Sequence, residues 1–352
     1  MTKKGFRLDW IILIIIVFLT GLSLLTLSAI DEEIFVNQAI NILIGFLGFF
    51  FFATFPYKLL KRITLPIAIS SLIILILPLV LGVIIRGASR WITIGSFTLQ
   101  PSELTKPLIM AIIANQSNLF LSLLGIFPFF LLIFLQPDLG SSLVLLSGWA
   151  GINFHQKTTR RYLIIFFIIT LVCLPLAWSL LAPFQKERIT SFLNPESDPL
   201  GSSYQSRQAI ISVGSGQLIG RGLGLGPQSR LAFLPERHND LLFASFIEAF
   251  GFLGGVSVII AYLILFWRLF GLAEKTTDPF GQSFIVGSST MLCFQTVVNI
   301  GMNIGLLPIT GLTLPLFSYG GSSYLSSMIC LGIIEAISSQ QTFTRTDELR
   351  IR

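Results

Sequence analysis

The chain has 352 residues, of which 53% are hydrophobic and only 11% charged, whereas soluble domains carry about a quarter charged residues. That balance excludes a soluble enzyme, a disordered chain, a collagen and a disulfide scaffold. The net charge of +6 does not point to nucleic acid, because no basic stretch with interleaved aromatics lies in a polar domain; in a membrane protein, excess Lys and Arg encode topology.

A transmembrane helix needs about 20 apolar residues. Apolar runs follow in chain order at Trp10–Ala29, Ile34–Phe55, Ile63–Ile85, Leu104–Ala114, Leu119–Leu135, Gly140–His155, Tyr162–Leu181, Leu241–Trp267, Phe280–Ile300 and Leu314–Ile337. They predict an all-α polytopic integral membrane protein, one domain over residues 1–352, with about ten transmembrane helices. The fourth run opens on Pro101-Ser102-Glu103, with Ser as cap, and carries Lys106 and Pro107; it is short for a span. Lys3, Lys4 and Arg7 before the first run fit a secretory signal. That run is longer than a signal core, however, and the next follows almost at once, so it is read as an uncleaved first helix.

With ten crossings and a cytoplasmic N-terminus, the inside segments hold Lys3, Lys4, Arg7, Lys58, Lys61, Arg62, Lys157, Arg160, Arg161, Arg268, Lys275, Arg345, Arg350 and Arg352. The short outside connections Asp31–Glu33, Gln136–Leu139 and Gly301–Thr313 hold no Lys or Arg. The positive-inside rule therefore puts both termini in the cytoplasm. Residues 182–239, rich in Pro, Gly and Ser, cannot face hydrocarbon and form a large extracytoplasmic loop between helices 7 and 8. Short helices are expected near Ser203–Val213 and Gln228–Phe233. Tyr204, Leu218, Leu223, Leu225, Phe233 and Leu234 are expected to anchor the loop over the membrane domain. Cys173, Cys293 and Cys330 lie far apart in apolar runs and read as packing residues; their spacing fits no metal or redox site.

Four clusters fall on the outer face. In Arg86–Glu103, Arg86, Arg90 and Trp91 are either interfacial anchors or a phosphate-binding group. Glu103 and Lys106, three residues apart, are either a structural ion pair or functional intramembrane charges. In Gln136-Pro137-Asp138, Asp138 reads as a helix cap. The loop then carries Arg207, Ser212–Gly216 and Gly220-Arg221-Gly222-Leu223-Gly224-Leu225-Gly226, whose spaced glycines let backbone approach a ligand or form an anion nest. It ends on Leu234-Pro235-Glu236-Arg237-His238-Asn239-Asp240, where Asp240 is either a cap or a general base. The last cluster, Gly305–Ser323, has the Gly and Pro of a broken or re-entrant element.

These blocks together resemble the SEDS family (shape, elongation, division and sporulation) of cell-wall polymerases. The marks are Arg90-Trp91-Ile92 with Gln100-Pro101-Ser102-Glu103-Leu104, Gln136-Pro137-Asp138, Leu234–Asp240 and Ser318-Tyr319-Gly320-Gly321-Ser322-Ser323, in family order along nearly the whole chain. Phe192–Gly201 resembles the RodA elongation branch more than the FtsW division branch. The resemblance implies polymerisation of lipid II into peptidoglycan glycan strands at the outer face of the bacterial cytoplasmic membrane. Asp240 falls on the essential carboxylate, and Arg86, Arg90, Trp91, Glu103, Lys106, Arg207, Arg221, Glu236, Arg237, His238, Ser318 and Ser322 become candidate substrate contacts. Two departures are Asn239, where the family usually has Thr, and Ala249 after Glu248, where it commonly pairs two Glu. Expected partners are lipid II, the undecaprenyl-linked strand, membrane lipids and a class B penicillin-binding protein transpeptidase. No organic cofactor is expected; a divalent cation could assist at the pyrophosphate, although no ligand cluster is visible. The rival readings are a flippase for the lipid-linked precursor and a non-catalytic scaffold for a transpeptidase.

Overall fold

The computed structural model describes residues 8–85, 88–94, 97–116, 118–156, 178–179, 181–194, 196, 203–231 and 233–351. Helices α1 (Trp10–Ser28) and α2 (Glu32–Thr54) form a hairpin at Asp31, whose carboxylate accepts the N–H groups of Glu33 and Ile34 and caps α2. Ile12, Ile16 and Leu19 of α1 are buried in the bundle. A short α3 (Tyr57–Arg62) leads into α4 (Thr64–Leu81). Three short strands follow, β1 (Val83–Ile85), β2 (Ala88–Ile94) and β3 (Phe97–Leu99), paired antiparallel in that order. The all-α expectation missed them: the third apolar run ends as a strand, because Val83-Ile84-Ile85 is β-branched and follows Pro78 and Gly82.

The chain continues through α5 (Pro101–Ala114), α6 (Leu119–Leu135) and α7 (Leu139–His155). Almost all of the expected span Tyr162–Leu181, Cys173 included, lies outside the described residues. The long loop before the next long helix contains α8 (Pro183–Leu193), which was not expected, then α9 (Tyr204–Ser215) and α10 (Pro227–Arg230). The long helices α11 (Leu242–Lys275), α12 (Pro279–Asn303) and α13 (Gly321–Ile351) complete the chain. The last expected run is corrected at its start: Leu314–Gly320 is a turn segment, and the helix begins only at Gly321. Among the described residues, α1, α2, α11, α12 and Gly321–Gln340 are long and apolar enough to cross a membrane unaided. The shorter α5 lies inside the bundle, with nearly every residue buried. Phe51, Leu47, Phe120 and Phe127 are exposed, as expected of side chains that face lipid rather than an aqueous core.

The outer loop is joined to α11 through a break in that helix. Gly251 adopts φ 71°, ψ −169°, which frees helical N–H groups. Phe252 N–H donates to Gln217 O (2.7 Å) and Leu253 N–H to Leu218 O (3.1 Å), while Arg221 and Gly222 N–H donate to Glu248 O (2.9 Å) and Ala249 O (3.0 Å). A Cβ on Gly220 would lie 2.1 Å from Ala249 O, so only glycine allows this contact. The glycine segment that suggested close approach to a ligand thus approaches α11 instead. The expected apolar anchors are also corrected: Leu234 is buried, but Leu218, Leu223, Leu225 and Phe233 are exposed. Backbone pairing docks this loop, because broken helical backbone needs partners at membrane depth.

Candidate active site

Helix α12 organises the site with a polar stripe one turn apart, Gln295, Asn299 and Asn303, all buried. Asn299 Nδ2 donates to Asp240 O (3.0 Å) and Leu312 O (2.6 Å). Asn303 Nδ2 donates to Asp240 O (3.0 Å), and its Oδ1 accepts Ala244 N–H (2.9 Å). The two amides therefore clamp the main chain of Asp240 and hold the segment before α13 against it. The N-cap position of α11 is Leu241, and Asn303 satisfies the Ala244 N–H of the first turn from another helix.

That carboxylate is half-buried. A Cβ placed on Gly311 would lie 3.6 Å from Asp240 Oδ2 and 3.8 Å from Arg188 Nη1; a carboxylate and a guanidinium from α8 converge on this glycine. The preceding turn is rigid. Glu236 has φ 52°, its carbonyl accepts N–H of Asn239 (3.0 Å) and Leu241 (3.3 Å), and its carboxylate accepts Asn239 Nδ2 (2.7 Å). The Arg237 guanidinium donates to Ser229 O. The His238 ring meets Tyr319 edge-on with centroids 5.7 Å apart, and Tyr319 N–H donates to His238 O (3.0 Å). Burial first, then the Glu33 carboxylate, raises the Tyr319 phenol above its ordinary pKa.

One turn along α12, about 6 Å at 1.5 Å per residue, lies the Glu103–Lys106 ion pair of α5, 2.6 Å long and buried. Lys106 Nζ also donates to Gln295 Oε1 (3.4 Å), and Gln295 Nε2 to Thr313 O (2.9 Å). The segment 310–313 thus connects the buried pair to Asp240. Farther over, Asp138 caps α7 by accepting Ser141 N–H (3.1 Å) and also accepts Gln100 Nε2 (2.9 Å). Arg90 lies 3.5 Å from Asp138 and donates to the carbonyls of Gln136 and Pro137. Its guanidinium is therefore occupied with the α6–α7 turn.

The remaining candidates scatter around this centre. Ser318 Oγ accepts Leu314 N–H (2.9 Å) and Ser322 Oγ accepts Gln100 N–H (3.0 Å), so both stitch the turn before α13. Trp91 sits on β2, paired with Val83. Arg207 is exposed on α9, and Arg221 is exposed with Nε donating to Ser215 O (2.9 Å). Arg86 lies outside the described residues. Glu248 holds the outer loop together, because its buried carboxylate accepts the N–H groups of Gln228 and Ser229, each at 2.9 Å, and caps α10.

The cell cycle protein family FtsW/RodA/SpoVE matches residues 6–343. The chain belongs to this family. Among its relatives, stage V sporulation protein E of Bacillus subtilis is 33% identical, with 96% of this chain and 99% of that protein covered. Peptidoglycan glycosyltransferase MrdB of Escherichia coli is 34% identical, over 81% and 78%. The fold matches a chain from a peptidoglycan synthase complex that coordinates polymerisation and crosslinking, at TM-score 0.81 and 30% identity, covering 96% and 99%. It also matches the rod shape determining protein RodA of Thermus thermophilus, at TM-score 0.71 and 28% identity, covering 94% and 97%. The multi-pass membrane architecture expected from the motifs is that of the family.

Sequence reasoning missed Asn299, Asn303, Gln295 and Arg188. The first three carried a signal: buried amides at four-residue spacing within an apolar helix, where polar groups need partners. Arg188 gave none, since only the folded loop brings α8 to Gly311.

Proposed function

We propose that this family member is a peptidoglycan glycosyltransferase that polymerises lipid II at the outer face of the bacterial cytoplasmic membrane, in the elongation role suggested by Phe192–Gly201. The observation that carries the reading is the placement of Asp240: its main chain is clamped by Asn299 and Asn303, and its carboxylate and the Arg188 guanidinium converge on Gly311. Such a carboxylate can take the proton from the acceptor sugar hydroxyl as that oxygen bonds to the anomeric carbon of the donor. The bond from that carbon to the pyrophosphate breaks in the same step, and the leaving oxygen needs positive charge. Arg188 is the nearer source and Lys106 the deeper one. Arg90 positions the α6–α7 turn rather than the substrate. A divalent cation on the pyrophosphate would be held by the substrate with Asp240, since no group of three His, Cys, Asp or Glu side chains converges among the described residues.

Asp9, Arg268 and Glu335 meet at the end of the bundle away from Asp240. With Asp240 outside, the starts and ends of the described chain lie in the cytoplasm. The structural relative drawn from a peptidoglycan synthase complex supports a class B penicillin-binding protein as partner, testable by co-purification in mild detergent. Purified protein given lipid II should make glycan polymer, and Asp240→Asn should remain folded while losing about 10²–10⁴-fold in rate. Near-normal polymer from that variant would overturn the assignment of the base, and a wild-type protein that only translocates labelled lipid II would overturn the enzyme.

A further inference from the structure

At the end of α12 remote from Asp240, a cavity of about 410 Å³ opens between α3, the start of α12 and the end of α5. The 25 residues of α12 separate it from Asn303 by roughly 37 Å, so it lies at the opposite membrane face from the active site. Lys58, Lys61 and Arg62 occupy positions i, i+3 and i+4 of α3 and share one helical face, while Tyr57 and Leu60 are buried on the other. The cavity floor is apolar: the rings of Tyr57 and Phe280 stack with centroids 6.4 Å apart. Asn115 braces the corner, donating to Thr64 Oγ1 (3.3 Å) and Lys61 O (3.4 Å).

Among the described residues no carboxylate pairs with these three cations. Asp278, which also lines the cavity, directs its carboxylate to Gly281 N–H (3.0 Å) as the cap of α12. Three cations thus outnumber the single carboxylate of a cavity at the end of the bundle remote from Asp240. Leu59 of α3 and Leu65 of α4, adjoining these residues in the chain, are exposed apolar side chains.

The geometry points to a binding site for the phosphodiester headgroup of an anionic phospholipid, with the acyl chains against Leu59 and Leu65. A basic pocket between membrane helices has the chemistry for such a headgroup, and the apolar flank distinguishes a lipid from a free phosphate. The test is titration of the full-length protein with phosphatidylglycerol, read by native mass spectrometry. The wild type should retain this lipid, and Lys58→Gln/Lys61→Gln/Arg62→Gln should weaken retention by roughly fivefold per cation, on the order of 10²-fold in all. The charge-preserving Lys58→Arg/Lys61→Arg variant should retain it. Equal retention by the wild type and the folded triple variant would overturn the site, as would equal retention of phosphatidylcholine. Displacement by sn-glycerol 3-phosphate would assign the pocket to free phosphate and overturn the lipid reading. Polymerisation of lipid II in phosphatidylcholine bilayers should be the same for all these proteins, so failure here leaves the glycosyltransferase reading intact.

Discussion

Replacing Asn303 by Leu separates the support of the proposed base, Asp240, from its carboxylate. The side chains share the same branched four-atom skeleton, but Leu leaves Ala244 N–H, in the first turn of α11, without its acceptor. It also removes one of the two amide donors on Asp240 O, while Asn299 remains. An orphaned buried donor costs about 1–3 kcal/mol and the lost hydrogen bond about 0.5–1.5 kcal/mol, so stability should fall by roughly 2–4 kcal/mol. Thermal unfolding in detergent measures this directly. Turnover of lipid II should fall more than its apparent affinity, because Asp240 shifts while Arg188 and Lys106 stay in place. The decisive arm is the Asp240→Asn background, where Asn303→Leu should destabilise as before yet take nothing further from the residual rate. Wild-type stability and turnover in Asn303→Leu, or a further rate loss in that background, would refute the clamp.

The other groups give sharper contrasts. Glu103→Gln leaves the buried Lys106 charge without its partner and should cost about 3–5 kcal/mol. Glu103→Gln/Lys106→Met should regain stability in the same unfolding assay without regaining polymerisation, as expected if Lys106 serves the leaving pyrophosphate. Arg188→Gln should lower kcat/KM about 10²–10³-fold, the scale for removing one charge-stabilising donor, measured with purified lipid II. Glu248→Ala should uncap α10, and hydrogen exchange at Gln228 and Ser229 should accelerate while the membrane helices stay protected.

The membrane class and most helices were legible because hydrocarbon allows few solutions: long apolar runs become helices, and Pro- or Gly-rich polar stretches leave the lipid. The sheet at Val83–Leu99 was not, because a short β-branched end of an apolar run reads like more helix. The position of Asp240 was legible from its motif, but its role was not, since a carboxylate at a helix start is ordinarily a cap. The side chain that holds its main chain, Asn303, lies sixty-odd residues later, and no local pattern near Asp240 contains that information. Arg90 illustrates the reverse case. A guanidinium in a family motif suggested phosphate, while the fold directs it to the carbonyls of Gln136 and Pro137.

The break at Gly251 also imposes an order on biosynthesis. Residues 217–222 leave the ribosome before α11, so they wait with no helix to pair with. When α11 is inserted, Phe252 and Leu253 present N–H groups that only the waiting loop can accept. Docking of the loop thus supplies the acceptors that the break in α11 requires, and the Asp240 turn at its head waits further for Asn299 and Asn303 of α12. A lesion at the Gly220 contact should therefore appear first as a poorly inserted, proteolysed chain, well before it appears as a slow enzyme.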